Sequence, residues 1–380
     1  MRVLHINVDD TSIPGLYQMV CRIIRKKAED IELDVASFIP YEDEAHISKL
    51  EKLGASVHEI GAGNRRIIGM RQCRKNLYAL LVEEQYDIVH IHSDNALEMR
   101  NFAAAAKKAG VRKIILHSHK ADCSVGTPVF NKILHRVVNR SLVMYGTEFV
   151  ASSDAAAKWM FPNIDLEDVF IVREGVSTAS YHFDPDVRER VRDELDLNEK
   201  TILIGNVSDF EIGSNHEFMM DVLAELLTKK TDIVMLLLGN GSKLKEVKQD
   251  AAAYGLSKNI IFMKNGKRNE LMQAMDAFIY PGKSKDLPVA VIQAQTAGLP
   301  TFLAEGVSEE AKIIDTVEYL PVKKESEIEW AERIRKRRVT PKKRTQGAAR
   351  VKRAGFGIAR TIKSYLALYQ LDEEDEGENE

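Results

Sequence analysis

The sequence predicts an α/β protein of two Rossmann-like domains facing a shared cleft, followed by C-terminal helices. Three observations carry this expectation. At 380 residues the chain exceeds one ordinary domain, and 44% hydrophobic with 29% charged residues is a globular composition. Short apolar runs alternate with longer amphipathic stretches, the pattern of parallel sheets covered on both faces. The alternation stops at a charge-dense stretch, 183–200, and then starts again.

Residues 2–8, 33–39, 57–60, 88–92, 113–119 and 149–152 read as strands, each a short run of β-forming residues. Between them, 68–84 and 96–109 carry helical periodicity. After a strand at 169–172 the polar stretch 183–200 reads as a helix and connector. Strands resume at 201–207, 233–238, 260–263, 277–280 and 300–303. The pattern ends near Pro321, and 328–338 and 347–369 read as two helices separated by Pro341, the second free to return to the first domain. Residues 372–380 hold seven carboxylates and no apolar side chain, which predicts a disordered acidic tail. The implied division is a first domain at 1–184, a second at 198–325, C-terminal helices at 326–371 and the tail at 372–380. Sheets of this kind bind ligands outside the carboxyl ends of their strands, so the chemistry belongs in those loops.

A formal net charge of −3 gives no overall attraction to nucleic acid. Two basic clusters stand out locally. Arg65, Arg66, Arg71, Arg74 and Lys75 interleave with Ile67, Ile68 and Met70, a pattern open to anionic lipid docking and equally to a solvated helix face. Residues 333–344 carry eight basic side chains. Neither cluster interleaves aromatic residues, which argues against a nucleic-acid partner. Cys21, Cys73 and Cys123 form neither a disulfide framework nor a zinc pattern and read as inert thiols of a reducing cytosol. No run reaches the roughly 18–20 apolar residues that span a bilayer. The expected location is cytoplasmic, with a peripheral place on the inner face of the cell membrane left open. His90 and His92 read as core or cleft-edge residues, and no third ligand at useful spacing supports a metal there. Asp9 and Asp10 follow the first strand, where adjacent side chains point apart and suit a loop role better than paired acid–base work.

Several segments resemble the family 4 glycosyltransferases, in particular those that build surface polysaccharides. Asn215-His216-Glu217-Phe218 opens a helix as in the family's "KNHEFL". Residues 235–241, MLLLGNG, are similar to "LLLVGDG", and 287–300, LPVAVIQAQTAGLP, to "LPVVLIEAQASGLP". NELMQAM at 269–275 precedes a strand as in "ELMQAMDVFVFPS". In the first half, YDIVHIH at 86–92 and His117-Ser118-His119 resemble "YDIVHSH" and "HSHN". The resemblance spans about residues 1 to 320. It implies the GT-B fold and transfer of a sugar, with retention and without a metal or other cofactor, from a nucleotide-sugar donor to a glycan or glycolipid acceptor.

The resemblance also implies donor-site residues, and here the chain departs from the pattern. The family's arginine and lysine that grip the donor diphosphate correspond to Asp209 and Ser214. Its paired glutamates, near the donor sugar and on the ribose, correspond to Lys285 and Gln293. A carboxylate in place of a guanidinium turns attraction for phosphate into repulsion. Gln293 can still accept from a hydroxyl, whereas a charged Lys285 cannot accept at all. The family's Gly-Gly turn after the first strand corresponds to Pro14 and Gly15, of which only Gly15 keeps a close backbone approach. His119 matches the histidine that contacts the donor sugar and is the candidate catalytic residue. Lys283 and Lys285, with Asn215 nearby in the pattern, are the candidates to replace the lost phosphate contacts. Two functions therefore stand side by side: a working transferase, and a catalytically silent homologue that binds a glycan or stabilises a partner glycosyltransferase. A third reading is another enzyme on the same fold, such as a nucleotide-sugar epimerase.

Overall fold

The computed structural model describes the chain apart from residues 14, 62–65, 122–128, 230–231, 265, 285–286, 338 and 371–380, and apart from the side chains of 66–68 and 212. It divides into two compact units: Met1–Arg173 with the C-terminal segment from Thr361, and Glu174–Arg360.

The first unit is built on a parallel sheet. Its strands are β1 (Arg2–Ile6), β2 (Glu32–Ser37), β3 (Val57–Glu59), β4 (Ile88–His92), β5 (Lys113–Ser118), β6 (Glu148–Ala151) and β7 (Val169–Ile171), in the order β3-β2-β1-β4-β5-β6-β7. β1 and β4 are buried almost end to end, as helices on both faces demand. The helix Ala96–Lys108 shows why the connections fold locally. Asn95 caps it by accepting from the Leu97 and Glu98 amides at 2.9 and 3.3 Å, and Met99, Phe102, Ala103 and Ala106 face the core.

The second unit repeats the topology with β8 (Ile202–Val207), β9 (Ile233–Leu238), β10 (Ile260–Met263), β11 (Ala277–Tyr280), β12 (Thr301–Ala304) and β13 (Val317–Leu320), ordered β10-β9-β8-β11-β12-β13. In both sheets the chain order reverses beside the first strand, between β1 and β4 and between β8 and β11. Loops leaving those strands are where a doubly wound sheet opens to a ligand.

The division falls at Arg173 and Glu174, ahead of the charged stretch rather than near 184–198. The helix Pro185–Glu194 in that stretch belongs to the second unit because its arginines close the end of another helix there. Arg188 donates to the Gln273, Ala274 and Met275 carbonyls at 3.2, 2.7 and 2.8 Å and to Asp276 at 2.6 Å. Arg192 adds a bond to Ala274 O at 3.1 Å. Arg344, one of the basic run at 333–344, is buried on the same carbonyls, with Met275 O at 3.0 Å and Met272 O at 3.2 Å, and lies 3.9 Å from the Phe183 ring centroid. Burial lowers its pKa to about 9. Most of the remaining described cations of that run are paired, Arg335 with Glu225 at 3.8 Å and Arg337 with Glu318 at 3.4 Å, so the run is not a free basic face.

The C-terminal region differs from the sequence expectation in two ways. β13 was hidden because its short run sits directly before Pro321. The stretch 347–369 is not one helix: it breaks at Gly355, whose φ of 92° no helix accommodates, leaving Gly347–Val351 in the second unit and Ile358–Ala367 ending in the first. Ser326–Lys336 packs instead within the second unit, where buried Trp330 meets Phe218 edge-on and donates to Pro321 O at 2.8 Å.

Candidate functional site

In the second unit three loops converge at the carboxyl ends of β8, β9 and β11. The loop after β8 holds Asp209 and Glu211, both exposed, and ends at Asn215 in the left-handed conformation, φ 59°. It lies so close to the next turn that a Cβ on Gly239 would sit 2.1 Å from Ser208 O, and one on Gly241 2.5 Å from Phe210 O. Glycine is required there by backbone crowding alone. The loop after β11 approaches from the other side, with Asn215 Nδ2 donating to Pro281 O at 3.4 Å and Gly282 packed on Gly213.

Of the residues singled out from sequence, Asp209, Ser214, Asn215 and Lys283 are thus brought to one loop cluster. The Ser214 hydroxyl donates to Asp209 O at 2.5 Å, so it ties the loop to itself. Glu211 accepts from the Ser242 amide and hydroxyl at 2.9 and 3.1 Å, which fixes a carboxylate at the mouth. Lys283 is exposed. Lys285 lies outside the described residues. Gln293 sits in the helix Val289–Thr296, and its Oε1 is buried with no hydrogen-bond partner among the described residues. Sequence reasoning missed His216, which stacks on Phe210 with ring centroids 4.5 Å apart. Burial lowers its pKa to about 4, so it braces the loop as a neutral ring.

The first unit presents a different arrangement. Gly15 takes φ 85° at the start of the helix Leu16–Ile24, with open space where a Cβ would stand. The two carboxylates before it act within the loop. Asp9 Oδ1 accepts from the Thr11 and Ser12 amides at 2.8 and 2.6 Å. Asp10 accepts from the Glu42 and Asp43 amides at 3.0 Å and lies 2.9 Å from His46 Nδ1. Burial alone would raise the Asp10 pKa; the His46 and amide hydrogen bonds outweigh it and lower the value.

His119 is buried at the end of β5, its amide donating to Asp94 Oδ1 at 2.7 Å and its carbonyl accepting from Ser152 at 3.0 Å. It terminates a chain of rings that no single motif displays. His119 Nε2 meets His92 Nδ1 at 3.0 Å, His92 Nε2 meets His5 Nδ1 at 3.0 Å, and His5 Nε2 meets the Tyr369 hydroxyl at 2.6 Å. The same hydroxyl lies 3.2 Å from His90 Nδ1, and His90 Nε2 lies 3.1 Å from His117 Nδ1. Each neutral imidazole donates through one nitrogen and accepts through the other, so the chain can be ordered head to tail. His117 Nε2 has no partner among the described residues. Burial lowers the pKa of His5 to about 3 and those of His90, His92 and His117 well below the ordinary value, each of the last three pushed further by neighbouring histidines.

The sequence offered only His90 and His92 as a metal pair. The structure adds third ligands, because parallel register sets His5 beside His90 and His92 beside His117. The triplets His5–His90–His92 and His92–His117–His119 each have ligand atoms within 4.8 Å of one another, close enough to share one ion. Most of those nitrogens are already engaged with each other in a hydrogen-bonded chain.

The lipid-docking candidates lie on the helix Arg66–Glu84, where Arg71, Arg74 and Lys75 are exposed and Met70 packs against the core. Arg65 and the Arg66 side chain lie outside the described residues. Among the described residues no helix is long and apolar enough to cross a membrane.

Two doubly wound parallel sheets, each with its loops gathered at a topological switch point, are the architecture of the GT-B glycosyltransferases. Residues 187–351 match the family described as Glycosyl transferases group 1, so the second unit carries a domain of that family. The whole chain is similar to EpsF of Bacillus subtilis (strain 168), itself named a glycosyltransferase provisionally, with 23% identity covering 98% of this chain and 97% of the relative. A GDP-mannose-dependent α-(1-6)-phosphatidylinositol monomannoside mannosyltransferase of Mycolicibacterium smegmatis is 23% identical over 61% of this chain and 62% of its own length. Among solved structures, HepE of Anabaena in complex with UDP-glucose superposes with a TM-score of 0.75 at 18% identity, covering 97% of this chain and 98% of that one. That likeness establishes the fold.

Proposed function

We propose that the protein transfers a sugar from a nucleotide-sugar donor to a polysaccharide or lipid-linked acceptor at the inner face of the cell membrane, with retention at the anomeric carbon and no required metal. The group 1 domain and the family 4 motifs support the reaction class. The mannosyltransferase relative, whose name specifies a phosphatidylinositol-linked acceptor, supports a lipid-linked one. The observation that carries the reading is Gln293. A buried acceptor without a partner costs about 1–3 kcal/mol, and Gln293 Oε1 has none among the described residues, at the position the resemblance gives to ribose recognition. A ribose hydroxyl donating to it removes that cost. Lys283 and Lys285 supply charge to the departing diphosphate, whose charge grows in the transition state. In the first unit the reading gives Gly15 a phosphate approach and His119 a sugar contact.

A second reading, the silent homologue with a glycan or a partner glycosyltransferase as ligand, draws on the loop after β8. It presents the exposed carboxylates of Asp209 and Glu211, while Ser214 is turned onto Asp209 O. Calorimetric titration with UDP, GDP and ADP separates the two. The transferase reading expects one of them to bind and Gln293→Leu to weaken it by about tenfold. Absence of binding by all three, together with no nucleotide release from their sugar conjugates, would leave the silent homologue standing.

A further inference from the structure

The helix Val129–Val138 in the first unit is apolar on two faces, and only one of them is packed. Leu134 joins the core, Val138 is buried, and His135 stacks on Trp159 with ring centroids 4.4 Å apart. On the other side Val129, Phe130, Ile133 and Val137 are 72%, 72%, 56% and 64% exposed. At about 100° per residue these four fall within one arc of about 100°. The following turn, Asn139–Met144, adds Val143 and Met144, 46% and 56% exposed. No other described surface of the chain carries so many large exposed apolar side chains in one continuous segment.

The charge around this face is one-sided. From residue 129 to 147 the sequence holds Lys132, Arg136 and Arg140 and no carboxylate. Lys132 and Arg136 border the apolar arc at helical spacing, Arg136 and Arg140 are exposed, and Lys107 reaches Met144 O at 2.6 Å. An amphipathic segment with large apolar residues flanked by cations fits the boundary between headgroups and acyl chains of an anionic bilayer. The Arg65–Lys75 segment has comparable charge, but its described apolar residue, Met70, is spent on the core.

We propose that the segment 129–144 is a membrane-docking surface that seats the first unit on anionic lipid headgroups. The proposal deepens the lipid-linked acceptor reading and takes its purpose from it, while the surface itself stands on exposure and charge.

The test is co-sedimentation of the full-length protein with vesicles of phosphatidylcholine alone and of phosphatidylcholine mixed with phosphatidylglycerol. Binding is expected to the mixed vesicles and to weaken with added salt. Replacing Lys132, Arg136 and Arg140 by Gln should weaken it roughly fivefold per cation. The triple variant Phe130→Ser, Ile133→Ser, Val137→Ser should weaken it on the order of tenfold or more, with an unchanged thermal midpoint because all three residues are exposed. Phe170→Ser, an exposed apolar residue on β7, serves as the control and should bind as the wild type does. No sedimentation with mixed vesicles, equal sedimentation with neutral ones, or unimpaired binding of the triple-serine variant would each overturn the proposal. So would loss of self-association in the triple-serine variant with vesicle binding intact, which would make the face a contact between copies. Nucleotide titration of the same samples keeps the two readings apart: docking can fail while UDP, GDP or ADP still binds, and the reverse.

Discussion

The two units share the order of six strands, to which the first adds a seventh, yet they treat the ends of their strands in opposite ways. In the first, five buried histidines and Tyr369 engage one another and form a neutral, largely self-satisfied network. In the second, the loop after β8 exposes Asp209 and Glu211, and Gln293 Oε1 in the helix Val289–Thr296 has no partner among the described residues. Within the second unit, the motif positions that match the glycosyltransferase pattern have duties to the scaffold. Gly239 and Gly241 admit the backbone of the loop after β8, and His216 braces that loop through Phe210. The positions that differ, 209 and 214, have side chains whose family role lies toward the ligand. Packing alone therefore accounts for these motif residues, and their presence is not by itself a measure of phosphate affinity.

The largest expected effect separates the units by pH. A histidine whose folded pKa lies below its ordinary 6.5 binds its proton more readily when unfolded, so its contribution to stability is present above pH 6.5 and is lost as pH falls toward the folded value. Four histidines of the first unit are lowered in this way, with His5 at about 3. Between pH 7.5 and 5.5 the first unit should therefore lose several kcal/mol of stability. In the second unit His216 is lowered in the same way, to about 4, and the corresponding loss is that of one histidine, about 1 kcal/mol. Urea denaturation followed by hydrogen exchange in each unit measures both. Equal losses in the two units would show that the imidazole network is not buried as a neutral body.

The second prediction concerns the exposed end of the comparison. Asp209→Arg with Ser214→Lys removes one carboxylate and places two cations in the loop after β8. Two charge-assisted contacts to a diphosphate are worth about 4 kcal/mol together, or roughly a thousandfold in affinity for UDP or GDP. Adding Lys285→Glu and Gln293→Glu restores the full family pattern and should bring out sugar discrimination. Calorimetry reads each step. A double variant that folds normally and gains less than about tenfold would show that these positions do not face phosphate.

Much of this architecture was legible from residue patterns, for reasons that also explain what was not. Strand alternation displayed both sheets because parallel strands are apolar along their whole length. The loop at Asp209 and the helix that carries Gln293 were visible because they lie within contiguous motifs. The histidine chain was not, since His5, His90 and His117 are neighbours only through strand register, and Tyr369 joins them from the far end of the sequence. The packing of Pro185–Glu194 was equally hidden: the stretch read as a helix and connector, and nothing in its charges showed that Arg188 and Arg192 cap carbonyls at 274 and 275. The apolar face of Val129–Val138 could not be separated from a core face until Leu134, His135 and Val138 were seen to turn inward.

The smallest effect probes whether the chain of rings behaves as one network. Tyr369 is the tyrosine at the centre of the hydrogen-bonded chain, and its hydroxyl joins His5 Nε2 to His90 Nδ1. Tyr369→Phe keeps the ring, and so the apolar packing of this buried residue, while removing both hydrogen bonds. Two imidazole nitrogens then lose a partner in a site that water does not reach, at an expected cost of about 1.5 kcal/mol near pH 8. If the network is continuous, the tautomers of His92 and His117 are coupled through that hydroxyl, and their ring ¹⁵N shifts should move although neither touches it. A change confined to His5 and His90 would instead mean two independent halves, His119–His92–His5 and His90–His117, each satisfied without the other. The order of the rings would then be a consequence of strand register, and the contrast between the units would rest on burial rather than on connectivity.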